Sequence, residues 1–225
     1  DHIFSDVLEG NFPLDQFITE KQLMERYQVG KAPVREALIE LCNENVLRSI
    51  PRLGYQVMPV TERDILDATE LRLVLELGAL DVYTTPGTMK KGALEKTSRN
   101  FSGGMLTQVS RLNQDWWQEV ISGEVDIKKR WQHNSRFHAT LCSFAGNELA
   151  VEVVRKMIQL EWRAYAQMLA TPEQRSEFFQ ASTSKPHIEI ERALTCGDFD
   201  TAQALLRGDI MTLPNWLLTQ TKRLF

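Results

Sequence analysis

The chain has 225 residues, a formal net charge of −4, and 43% hydrophobic and 25% charged residues. That length admits one large domain or two modest ones, and no apolar run approaches the roughly eighteen residues a membrane helix needs, so no membrane partner is expected. Bulk charge also argues against nucleic acid: residues 1–60 carry six Lys/Arg against nine Asp/Glu, so any DNA-binding role must rest on where the cations sit.

In chain order, "ITEKQLMERYQV" opens on Thr19, a good helix N-cap, and Leu23, Met24 and Tyr27 follow at helical spacing. Gln28-Val29-Gly30 is a tight break. A second helix starts at Lys31, with Pro33 in the first turn, where a missing N–H costs nothing. Val34, Ala37, Leu38 and Leu41 recur at i, i+3, i+4 and i+7, one apolar stripe, while Lys31, Arg35, Glu36 and Glu40 fall on other faces. After Asn43-Glu44-Asn45 the period shortens: "VLRSI" and "YQVMPV", joined by Pro51-Arg52-Leu53-Gly54, predict a β-hairpin. Helix, turn, helix and hairpin make a winged helix-turn-helix over residues 1–60.

From Thr61 onward strand signals vanish. A capped helix runs from Thr61 to about residue 84, and 84–104 is loop-rich with helix possible near Ala93. Amphipathic helices are expected at 105–122, 125–145, 147–170, 173–195 and 198–220, broken at Ser122-Gly123, Gly146-Asn147, Thr171-Pro172 and Gly197-Asp198. The expectation is a mainly α protein, with residues 61–225 forming an all-α bundle of six or seven helices. Cys42, Cys142 and Cys196 lie far apart, without metal-finger spacing. They read as small hydrophobes in a reducing cytoplasm, and no charged-then-apolar secretory leader is visible.

"PVREAL", the "RLGYQV" wing, "ELRLVLELGA", "NSRFHATLCSFAGN" and "PHIEIERALTCGDFDTAQALL" together resemble the GntR-type bacterial transcription regulators. The helical part resembles the FCD effector domain of their FadR-type subfamily. The resemblance covers nearly the whole chain, and implies a first helix longer at its N-terminal end than the stretch present here. It also implies a homodimer on two-fold operator DNA and a small-molecule effector, a carboxylate or sugar acid, in the helical domain.

The second helix of such a motif enters the major groove, where an arginine can take guanine O6 and N7 bidentately. Arg35 is the candidate. The family's serine, arginine and threonine before "PVREAL" are Gly30, Lys31 and Ala32 here, so the base code departs at that point. Lys31 is left to meet a base or only a phosphate, and Ala32 to touch a thymine methyl. Arg52 and Gly54 match the wing, Arg52 for minor-groove or phosphate contact and Gly54 for the turn. Arg26 is a candidate phosphate neighbour.

In the helical domain, the family's metal ligands, an aspartate and three histidines, fall on Asn134, His138, His187 and Asp209. With two of the four changed, the set could still hold Zn²⁺, Ni²⁺ or Mn²⁺. The alternatives are a metal-free pocket binding an organic effector directly, or a structural polar cluster. The resemblance places Arg72 in the pocket, where a guanidinium suits a carboxylate; its other reading is an ion pair with Glu70 or Glu76. Arg163 is a further cavity candidate, Asn147 is expected to cap a helix, and His133 is expected to be solvated. A hydrolytic metalloenzyme is the competing function, although no HExxH-like motif exists. A structural DNA protein is the third.

Overall fold

The computed structural model describes residues 2–84, 101–123, 127–168 and 185–221. Its contacts divide the chain into two units. One comprises residues 1–61 with 162–175; the other comprises 62–161 with 176–225. The described residues 162–168 thus belong with the N-terminal module, although sequence position assigns them to the helical part.

In the first unit, α1 (His2–Leu8), α2 (Glu20–Tyr27) and α3 (Lys31–Asn43) precede a hairpin of β1 (Leu47–Ile50) and β2 (Gly54–Val57). Thr19 caps α2 in a reciprocal box: its hydroxyl accepts from the Gln22 amide, and its own amide donates to Gln22 Oε1 at 2.9 Å. Gln28, in the left-handed region at φ 54°, turns the chain between α2 and α3. The apolar stripe of α3 faces inward as expected, with Val34, Leu38 and Leu41 buried beside Leu23 of α2. β1 and β2 pair antiparallel, from Leu47 opposite Val57 to Ile50 opposite Gly54. Ile18 adds one bridging residue, exchanging two backbone hydrogen bonds with Tyr55 at 2.7 and 2.8 Å. Gly54 is required there. Its φ is +121°, and a Cβ would meet the Ile18 carbonyl oxygen at 2.5 Å.

Seven described helices make up the second unit: α4 (Glu62–Thr84), α5 (Phe101–Ser122), α6 (Ile127–Ser143), α7 (Glu148–Met168, its last two turns in the first unit), α8 (Lys185–Cys196), α9 (Phe199–Ile210) and α10 (Thr212–Thr221). Of the stretch expected to be loop-rich, 84–104, residues 85–100 lie outside the described residues and 101–104 are helical, opening α5; the first half of the helix expected at 173–195 also lies outside the described residues. One expectation is corrected. Residues 198–220 form two helices that part at Met211, because Pro214 cannot donate the next helical hydrogen bond and its ring crowds the preceding turn. Asn147 caps α7 through Ala150 N at 3.2 Å, and Asp198 caps α9 through Thr201 N at 3.2 Å. Leu80, Val109, Phe137, Leu141, Ile190, Leu206 and Ile210 form a fully buried core from five helices. Among the described residues no helix is long and apolar enough to cross a membrane.

Candidate functional site

Two groups of side chains stand out, one in each unit. In the first, the N-terminal turn of α3 presents Lys31, Ala32, Pro33 and Arg35 to solvent. Glu20, at the start of α2, reaches both cations: its carboxylate is 2.9 Å from Arg35 Nε and 3.6 Å from Lys31 Nζ. The Arg35 side chain is still 61% exposed. Glu20 therefore steadies the guanidinium at its Nε and leaves its outer edge outward. Arg52 sits exposed in the turn between β1 and β2, at a left-handed φ of 68°. Arg26 is more constrained than its expected role suggests. It pairs with Asp6 at 2.7 Å and lies over the Phe12 ring at 5.3 Å. Arg48 on β1, which the sequence reading passed over, is another exposed cation; its guanidinium is held by Gln56 Oε1 at 2.7 and 3.1 Å.

The second group is buried inside the helical unit. One ring nitrogen each from His138 (α6) and His187 (α8) and one oxygen of Asp209 (α9) lie within 4.8 Å of one another. Both Nε2 atoms face Asp209 Oδ2, at 2.9 and 3.3 Å. Behind them, Glu76 of α4 takes His138 Nδ1 at 2.6 Å, and His133 Nε2 lies 3.1 Å from His187 Nδ1. Arg72, one turn before Glu76, donates to Glu76 Oε1 at 2.8 Å and to Glu161 Oε2 at 2.5 Å. Glu161 also accepts from Thr69 at 3.3 Å. Aromatic faces wall the histidines: Trp116 stacks on His133 at 4.7 Å, and Phe137 on His187 at 3.8 Å.

Burial and charge act against each other here. Burial would raise the Asp209 carboxyl, but His187 and the hydrogen bonds from both histidines bring it well below the usual carboxylate range. Glu76 is likewise lowered, burial being outweighed by Arg72 and His138. His138 is raised: burial disfavours its charge, but Glu76 and Asp209 on either side favour it more. Burial lowers His187 despite Asp209, and burial with the neighbouring histidines lowers His133 to about 3. Burial raises Glu161 more than Arg72 lowers it.

This donor set fits a divalent cation. Two imidazoles and a carboxylate suit Zn²⁺, Ni²⁺ or Mn²⁺. Each imidazole is already oriented through its other nitrogen, by Glu76 or by His133, as metal-bound histidines usually are. Three buried polar atoms around the cluster, Arg72 Nη2, Asn113 Oδ1 and Trp116 Nε1, have no hydrogen-bond partner. Asn113 is tied to the cluster by donating to the His187 carbonyl at 3.2 Å.

The structure therefore gathers His138, His187, Asp209 and Arg72, as the sequence placed them, but not the whole expected set. Asn134 is half-buried, and its amide makes no hydrogen bond to the cluster. His133 is not solvated; it is buried against Trp116 and His187, because α6 turns this residue rather than Asn134 toward α5 and α8. Arg163 does not join the cluster. It belongs to the first unit, where it bonds the carbonyls of Asn45 and Met58. Glu76 had a local signal, its i, i+4 spacing from Arg72. Glu161 and His133 had none, since their contacts depend on tertiary packing.

Comparison with known proteins agrees with both halves. The family described as bacterial regulatory proteins, gntR family, matches residues 1–57, and the FCD domain matches residues 91–211. The HTH-type transcriptional repressor GlaR of Escherichia coli (strain K12) is 21% identical over 209 residues, 92% of this chain and 89% of the relative. The HTH-type regulator YdhC of Bacillus subtilis (strain 168) is 24% identical over 160 residues, 67% of this chain and 71% of its own. Among solved structures, E. coli McbR/YncC covers 98% of this chain and 95% of itself, at 19% identity and a TM-score of 0.64.

Proposed function

Since the chain belongs to the gntR family of bacterial regulatory proteins and carries its FCD domain, we propose how this transcription regulator divides its work between the two groups of residues. Members of this family regulate transcription and are not enzymes, so the hydrolytic reading falls away.

The α3 N-terminus docks in the major groove of operator DNA. Arg35 reads a base edge there, Lys31 and Ala32 flank it, and Arg52 at the wing tip, over Gly54, meets the minor groove or a phosphate. Arg26, held by Asp6, contributes at most a phosphate contact. Two copies bind as a homodimer, each reading one half-site.

The buried cluster is the effector site. The single observation that carries this is the convergence of His138, His187 and Asp209, each imidazole backed by a partner at its other nitrogen. A divalent metal held there by these three residues would supply a Lewis-acid position for an anionic effector. Asn134 is not needed in the ligand set. Arg72 keeps Nη2 as an unused donor and so can meet an effector carboxylate, while its other edge stays with Glu76 and Glu161. To regulate, the effector must bind one state of the protein better than the other, typically by about 1–3 kcal/mol.

Elemental analysis of full-length protein purified without chelator, with thermal shifts on adding Zn²⁺, Ni²⁺ or Mn²⁺, tests the metal. Absence of bound metal together with no thermal response would leave a metal-free effector pocket as the reading. A duplex selected from a random-sequence pool by the full chain, titrated with Arg35→Ala, tests the groove helix. Undiminished binding of that duplex would refute it.

A further inference from the structure

Residues 162–168 pack with the winged module although they follow it by about a hundred positions. Two side chains in this segment, Arg163 and Gln167, stand one helical turn apart on α7 and bind backbone groups at the base of the hairpin. Arg163 Nη1 donates to the Asn45 carbonyl at 3.0 Å, and Nη2 to the Met58 carbonyl at 2.8 Å. Gln167 Nε2 donates to the same Met58 carbonyl at 3.0 Å, and Val60 N donates to Gln167 Oε1 at 2.7 Å.

The placement matters because Asn45 and Met58 flank the hairpin's last rungs. Met58 N donates to Val46 O at 2.9 Å, and Leu47 pairs with Val57. One planar fork therefore spans the chain entering the hairpin and the chain leaving it, a geometry that lysine cannot reproduce. The hairpin needs such help. Its strands have four residues each, and an isolated two-stranded hairpin is marginal in water. The Ile18 bridge steadies it at Tyr55 near the tip; the roots are held by Arg163 and Gln167.

We propose that Arg163 and Gln167 are positioning residues for DNA binding: they fix the root of the β1–β2 hairpin and so set where Arg52 at its tip meets the duplex. This rests on the reading of Arg52 as a DNA contact. The lever is long. Over Leu47–Ile50 the strand rises roughly 10 Å at about 3.3 Å per residue, so a tilt of about ten degrees at the root moves the tip by about 2 Å. That displacement exceeds the tolerance of a hydrogen bond.

The test uses the full chain and the selected duplex. Arg163→Met removes both fork donors and keeps a shorter unbranched apolar stem; Arg163→Lys keeps the charge and a single donor group, and guards against a variant that fails to fold. Binding should weaken about tenfold in Arg163→Met and less in Arg163→Lys, from loss of one or two hydrogen bonds. Hydrogen exchange at the Arg48, Gln56 and Met58 amides, which point across the hairpin, should quicken. In an Arg52→Ala background the Arg163→Met effect should shrink to about twofold or less, because the tip no longer has a contact to misplace. Undisturbed exchange and affinity, or a full additive loss in the Arg52→Ala background, would overturn the proposal. Quicker exchange with unchanged affinity would overturn it too. In that case a silent Arg52→Ala locates the fault in the wing reading, and a damaging one locates it in the brace.

Discussion

The molecule uses an arginine–glutamate pair twice, in opposite settings. Arg35 and Glu20 meet at 2.9 Å with side chains 61% and 23% exposed. Arg72 meets Glu76 at 2.8 Å with both side chains almost fully buried. The exposed pair holds little energy, because water and salt screen it, so the guanidinium can trade its carboxylate for a base or phosphate at small cost. The buried pair cannot trade. Its partners left water on folding, and Arg72, with His138 at Glu76, is what favours their charged forms. The same two residue types thus serve reading in one place and architecture in the other, and the difference is solvent.

The largest effect should come from breaking the buried pair. Arg72→Met leaves Glu161 without its cation and Glu76 with His138 alone, and should cost about 3–5 kcal/mol in denaturant unfolding of the full chain. Arg35→Ala in the same assay should change stability by less than about 1 kcal/mol. Equal costs would erase the comparison. Next in size is metal. At a free concentration of a hundred times its Kd, a bound divalent ion should add about 2.7 kcal/mol. His138→Ala and His187→Ala should each abolish that increment, while Asn134→Ala should leave it intact. Loss of the increment in Asn134→Ala would restore the amide to the ligand set.

How much of this was legible in the sequence follows the same division. The exposed half was readable because its signals are local: Thr19 caps, Pro33 starts a helix, the stripe from Val34 to Leu41 has one period, and Gly54 marks a turn. The core helices were readable for the same reason, down to the Asn147 cap. The buried half was readable only through resemblance, because His138, His187 and Asp209 come from three helices and no spacing links them. Resemblance failed where this chain departs from its relatives. It pointed to Asn134, whereas packing had buried His133, the residue before it. Arg163 misled in a different way. An arginine on a helix near a cavity-lining stretch looks like a ligand contact, yet both its Nη atoms donate to backbone carbonyls.

A third prediction sharpens the exposed side. Arg35→Ala should weaken binding to the selected duplex by about 1–3 kcal/mol, roughly ten- to a hundredfold, and relax preference at one position. Lys31→Ala, if Lys31 meets only phosphate, should weaken all sequences alike and lower the salt slope by about one. A change in sequence preference would make it a base contact instead.

The smallest expected effect is the most discriminating, because two contributions of Glu20 oppose each other. As an anion beside the cations of the reading surface, Glu20 repels phosphate and weakens binding to any sequence. As the partner of Arg35 Nε, it holds the guanidinium in one pose and so favours the right base over the wrong ones. Glu20→Gln separates the two, since glutamine keeps an oxygen for Arg35 but removes the charge. Non-specific binding should tighten by about threefold while binding to the selected duplex changes less, so the ratio falls. Glu20→Ala, which removes the partner as well, should lower the ratio further. If both duplexes gain equally in Glu20→Gln and in Glu20→Ala, the carboxylate only neutralises, and the exposed pair carries no positional information for reading.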